Sequence, residues 1–84
     1  MTVGIVGDFD PRNETHRATS QALADAWLRF EWVPTDEVLP ARAATRLVAY
    51  AGLLIAPASP YRSMDGALAA VRFARERGVP LVGT

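Results

Sequence analysis

The sequence predicts an α/β domain built on a doubly wound parallel sheet, and three observations lead there. Its strand-like runs are short and apolar throughout rather than alternating, the pattern of strands buried on both faces. They alternate with segments whose apolar residues recur every three or four positions, as on one side of a helix. The resulting order, strand then helix three times over and a closing strand, is the one that joins parallel strands through helical crossovers.

Each element has its own signal. Thr2 to Gly7 is a Val/Ile-rich run ended by Gly7-Asp8 and a polar stretch with Pro11 and Asn13, which predicts a buried strand and its exit loop. From Glu14 to Arg29, Ala18, Ala22, Leu23, Ala26, Trp27 and Phe30 form an apolar stripe opposite Arg17, Gln21, Asp25 and Arg29, with Asn13 or Thr15 as the N-cap. Phe30 to Val33 is a second strand, closed by Pro34; Asp36 caps a brief turn, and a short helix follows over Ala41 to Leu47. Leu53 to Ala56, between Gly52 and Pro57, is a central strand. The third helix begins at Ser63, a capping residue, with Asp65 at the positive end of the dipole and a stripe of Met64, Ala67, Leu68, Val71 and Ala74. Arg75 and Arg77 suit its last turn, Gly78 its left-handed end, and Pro80 prevents continuation before a fourth strand over Val79 to Gly83. A flavodoxin-like sheet is the simplest assembly of these parts, and no repeat or linker divides residues 1–84.

Composition narrows the chemistry. Nine basic and nine acidic residues cancel, so neither nucleic acid nor an anionic membrane surface is favoured as a partner. All the basic residues are arginine, which removes Schiff-base and P-loop lysines. Cysteine is absent, and with it disulfides, zinc-thiolate sites and thiol nucleophiles within these residues. No metal ligand set and no cofactor motif stands out. The apolar runs fall short of a membrane span and the start carries no signal-peptide pattern, so a cytoplasmic location is expected.

Ligands of such sheets bind beyond the carboxyl ends of the strands, which directs attention to the loops after the first and third. The first, Gly7 to Pro11, lacks the G-x-G-x-x-G spacing of a dinucleotide site, and its two aspartates, Asp8 and Asp10, would repel a pyrophosphate. They suggest instead a receiver-type acidic pocket or a Mg²⁺ site, although a pair of loop carboxylates is more often solvated than metal-bound. The second, P-A-S-P-Y-R-S-M-D-G over Pro57 to Gly66, leads into a helix whose free N–H groups, with Arg62, could hold an anion; its structural reading is a rigid proline-flanked turn with a capping serine. His16, the single histidine, is read as a surface or capping residue near the start of the first helix, and Trp27, Phe30 and Trp32 as core.

Taken in order, V-G-D-F-D-P, H-R-A, E-W-V-P-T-D and the long passage from Pro57 through V-P-L-V-G-T resemble class I glutamine amidotransferase-like domains of the CTP-synthase-related kind, across nearly the whole chain. The resemblance implies a partial class I amidotransferase fold, with residues 1–84 as its N-terminal portion. It also implies a cysteine nucleophile in a C-G-G elbow just after Thr84, and a triad histidine and glutamate much later; none of these lies within the chain, which alone would be inactive. The oxyanion-hole backbone falls at Ala58 and Ser59, where the family carries a P-G-G type loop and this sequence reads Pro57-Ala58-Ser59. Pro57, Tyr61, Arg62 and Ser63 border the same cleft as substrate contacts. The implied substrate is glutamine or another small amide, with no cofactor; the side of the sheet that half a fold leaves exposed calls for the remainder of the domain or a second copy to cover it. Because the chain opens with Met1 at its first strand, a preceding synthase domain is not expected. Two other readings remain open: a non-catalytic α/β binding or assembly module, and a small nucleotide-binding or receiver-like domain.

Overall fold

The computed structural model describes residues 2–38, 41–56 and 61–83. Its elements are β1 (Thr2–Val6), α1 (Glu14–Asp25), β2 (Arg29–Val33), a 3-10 turn (Thr35–Glu37), α2 (Ala43–Leu47), β3 (Gly52–Ile55), α3 (Met64–Arg77) and β4 (Leu81–Gly83). The four strands form one sheet in the order β2-β1-β3-β4, parallel throughout, as the apolar runs require.

Strand alternation sorts the sheet into two faces. Val33, Val6, Leu53 and the partly buried Ile55 and Leu81 point to one side, where they pack with Val38, Leu47 and Tyr50 and with Ala70, Phe73 and Ala74 of α3. This is the main core, covered by α2 and α3. Gly4 belongs to the same face, and a Cβ there would stand 2.8 Å from the Tyr50 ring, so glycine lets the tyrosine lie flat on β1. The Tyr50 hydroxyl donates to Glu31 at 2.6 Å and accepts from Arg46 at 3.0 Å. The other face carries Ile5, Trp32, Leu54 and Val82, and α1 covers its β2 side, where the Trp32 indole N–H donates to Ser20 Oγ at 2.9 Å. Val82 is 60 % exposed at the far end of that face.

The two long helices turn toward the sheet differently from their apolar stripes. On α1 the side chains directed inward are His16, Thr19, Ser20 and Leu23, while Ala18, Ala22 and Ala26 are exposed. An alanine methyl contributes little by burial, whereas the indole N–H of Trp32 and the loop after β1 need polar partners that Ser20 and His16 supply. On α3 the buried residues are Gly66, Ala67, Ala69, Ala70, Phe73 and Ala74, and the expected Met64 and Leu68 point outward. Small residues win because the helix lies close: a Cβ on Gly66 would overlap the Thr35 carbonyl oxygen.

The helix ends form an instructive pair. At α3, Gly78 takes φ 67° while Val79 N–H donates to Ala74 O at 3.0 Å. At α1, which stops at Asp25 rather than Arg29, the same left-handed position falls to Trp27 at φ 61°, with Leu28 N–H donating to Leu23 O at 3.1 Å. Trp27 was expected in the core and is instead 94 % exposed. The turn into β2 throws its ring into solvent.

Two substitutions test this packing by urea denaturation. Trp27→Gly removes a left-handed non-glycine conformation without losing buried area and should stabilise the fold by about 0.5–1 kcal/mol. Gly66→Ala forces α3 away from the Thr35 carbonyl and should destabilise by roughly 2–4 kcal/mol.

Candidate functional site

The loops after β1, β2 and β3 meet at the carboxyl edge of the sheet, and Asp8 joins them. Asp8 Oδ1 accepts from Thr35 N–H at 3.0 Å, and Oδ2 accepts from the Thr35 hydroxyl at 2.7 Å and from Arg62 N–H at 2.7 Å. Thr35 Oγ1 in turn accepts from Ser63 N–H at 2.8 Å, so its proton is directed at Asp8 and its lone pair at α3. Ser63 then caps the helix, its Oγ accepting from Gly66 N–H at 3.0 Å. Thr35 is fully buried and the Asp8 side chain only 9 % exposed, so the bonds between these two residues are largely shielded from water.

Burial pushes the Asp8 carboxyl up. The bonds from Arg62 N–H, the Thr35 hydroxyl and Thr35 N–H, with the Arg62 charge, together outweigh it and hold the group below its ordinary range. The receiver-like reading of Asp8 and Asp10 is not what the geometry displays. Asp8 is committed to the fold, and Asp10 bonds Arg12 through its backbone N–H at 2.9 Å and its guanidinium at 3.2 Å. Among the described residues no group of three potential metal ligands converges.

Of the residues expected to contact substrate, Tyr61 donates its hydroxyl to Ala56 O at 2.6 Å and so braces the end of β3. The Arg62 guanidinium is 64 % exposed and lies between Asp8 at 4.0 Å and Asp36 at 3.8 Å. Two carboxylates beside one guanidinium leave little net positive charge for an anion there. Pro57, Ala58 and Ser59 lie outside the described residues.

His16, expected as a surface or capping residue, is buried, and its ring closes the loop after β1 by bonding a backbone N–H there. Its Nδ1 accepts from Asp10 N–H at 3.0 Å, and the ring packs against Trp32 at 4.9 Å and Phe9 at 6.1 Å between centroids. A ring nitrogen that accepts an N–H carries no proton, so the neutral ring is the Nε2–H tautomer. That Nε2 is buried and has no hydrogen-bond partner among the described residues. The aromatic spacing of Phe9, His16 and Trp32 gave no sequence signal, since the three come from a loop, a helix and a strand.

No family model matches the chain. Among curated proteins it is similar to the CTP synthases of Leifsonia xyli subsp. xyli, 31% identical over 90 residues, of a Synechococcus species, 31% over 89 residues, and of Staphylococcus carnosus, 29% over 89 residues. Each similarity covers 99% of this chain and 16% of the relative, so the chain spans about one sixth of the length of these proteins. Among the described residues no helix is long and apolar enough to cross a membrane.

The Asp8–Thr35 pair makes two predictions. Thr35→Val leaves Ser63 N–H without a partner and takes from Asp8 Oδ2 one of its two donors, and should destabilise the fold by about 1–3 kcal/mol in chemical denaturation. The lowered Asp8 value means that its contribution to stability is complete above the ordinary carboxyl value of 3.8 and is lost as pH falls below it through the folded-state value. Asp8→Asn should therefore flatten the decline of stability below that pH, measured as the urea midpoint across an acid series.

Proposed function

We propose that the chain forms the N-terminal, sheet-building part of a glutamine amidotransferase-like domain related to that of CTP synthases. In this reading a cysteine following residue 84 attacks the side-chain amide of glutamine or another small amide. Backbone N–H groups at Ala58 and Ser59 stabilise the oxyanion, and Pro57, Tyr61, Arg62 and Ser63 border the substrate cleft.

One observation carries the proposal. Ile55 of β3 is paired in register with Gly83 of β4. Adjacent strands stand about 4.8 Å apart, so whatever follows β4 leaves the sheet beside whatever follows β3. A nucleophile and an oxyanion donor need that neighbourhood, because both must reach one carbonyl group within a few ångströms. The similarity to CTP synthases over 99% of the chain supports the same assignment. The Asp8–Thr35 clamp supports it differently, by tying the backbone at Arg62 and Ser63 to the ends of β1 and β2. Tyr61 serves the cleft mainly as a brace, with its hydroxyl on Ala56 O.

The test is covalent labelling of the protein expressed from its whole reading frame with a diazoketone analogue of glutamine, followed by peptide mass spectrometry. A modified cysteine in the first few residues after Thr84, together with ammonia release from glutamine, is the expected result. Absence of both labelling and ammonia release would leave the non-catalytic module as the better reading.

A further inference from the structure

An open groove of about 450 Å³ runs between α2 and α3, lined on its floor by Ala43, Ala44, Ala69 and Phe73. It exists because three of these side chains are single methyl groups, too small to close the space between the helices. Leu68 forms part of its wall at 59 % exposure, and Met64, one turn earlier on α3, is 56 % exposed. Asp65, Glu76, Arg72 and Arg77 rim the groove, two acidic and two basic, and among the described residues none of them forms an ion pair. The groove therefore combines apolar area open to water with unused charges of both signs.

We propose that this face binds a second copy of the chain through a two-fold axis crossing α3 between Leu68 and Ala69. Two observations single out that occupant. The charges along α3 have opposite sign on the two sides of the axis: Asp65 lies three residues before Leu68 and Arg72 three after Ala69. An antiparallel α3 pair thus sets Asp65 of each copy opposite Arg72 of the other, twice in one interface, as isologous symmetry demands. The same operation brings the two exposed Leu68 side chains together beside the axis, where each covers apolar area of the other. A purely acidic or purely basic partner would meet like charge on half of the rim. This inference is independent of the amidotransferase reading, since it uses the outward face of α3 and no catalytic group.

Sedimentation velocity from micromolar to submillimolar protein tests it. The wild type is expected to dimerise, and Arg72→Asp, which sets Asp against Asp65 at two places, should raise the dissociation constant at least about tenfold. The double variant Asp65→Arg, Arg72→Asp should recover most of that loss, with far-UV circular dichroism verifying that α3 is intact. If the double variant is misfolded, Leu68→Cys decides. Residues 1–84 contain no cysteine, so mild oxidation of this chain should yield a dimer whose disulfide peptide mapping places at position 68, near the axis. A wild type that stays monomeric throughout, or a dimer that neither Arg72→Asp weakens nor Leu68→Cys traps, would overturn the proposal.

Discussion

The carboxyl edge of this sheet is where the connections after β1, β2 and β3 must come together, and the bond from the Thr35 hydroxyl to Asp8 is what organises them. A buried carboxylate is costly unless its lone pairs are filled, and Asp8 fills them from two different loops. Because Thr35 is both donor and acceptor, the order runs on from Asp8 through Thr35 to Ser63 and the first turn of α3. The helix is therefore placed at its N-terminus by hydrogen bonds. Along its length it is held by apolar contact with the sheet.

That division of labour explains the choice of small residues on α3. Hydrogen bonds at the N-terminus bring the helix backbone so near the 3-10 turn that only glycine fits at position 66. Alanines continue the close approach until Phe73 fills the wider space further along. The larger apolar side chains, Met64 and Leu68, are displaced to the outer surface by the same geometry. An exposed apolar stripe on α3 is thus a consequence of how its other side is anchored.

The site shares this economy. Most of the polar groups near the strand ends are occupied in holding the loops: Asp8 with Thr35 and Arg62, Tyr61 with Ala56, Ser63 with Gly66, His16 with Asp10. What such an edge can offer to a reaction is backbone in a fixed position. The proposed amidotransferase-like reading would ask no more of this edge, since in it the attacking group is supplied from beyond these residues.

Much of the fold is legible in the amino-acid sequence. Apolar strands without alternation, the capping residues Asn13 and Ser63, and the Gly78-Pro80 stop are local signals, set by burial on two faces, by side-chain acceptors for free N–H groups and by backbone conformational freedom. They located the strands and both long helices within a few residues. The strand order β2-β1-β3-β4 is that of the expected flavodoxin-like sheet, whereas the rotation of each helix on the sheet and the partners of Asp8 and His16 were decided only by tertiary structure. Each depends on residues far apart in the chain: Asp8 meets Arg62 across 54 positions, and Trp32 turns Ser20 inward from 12 positions away. Periodicity records how apolar a helix face is, whereas packing selects the face whose shape and hydrogen bonds fit. For α1 and α3 those were different faces.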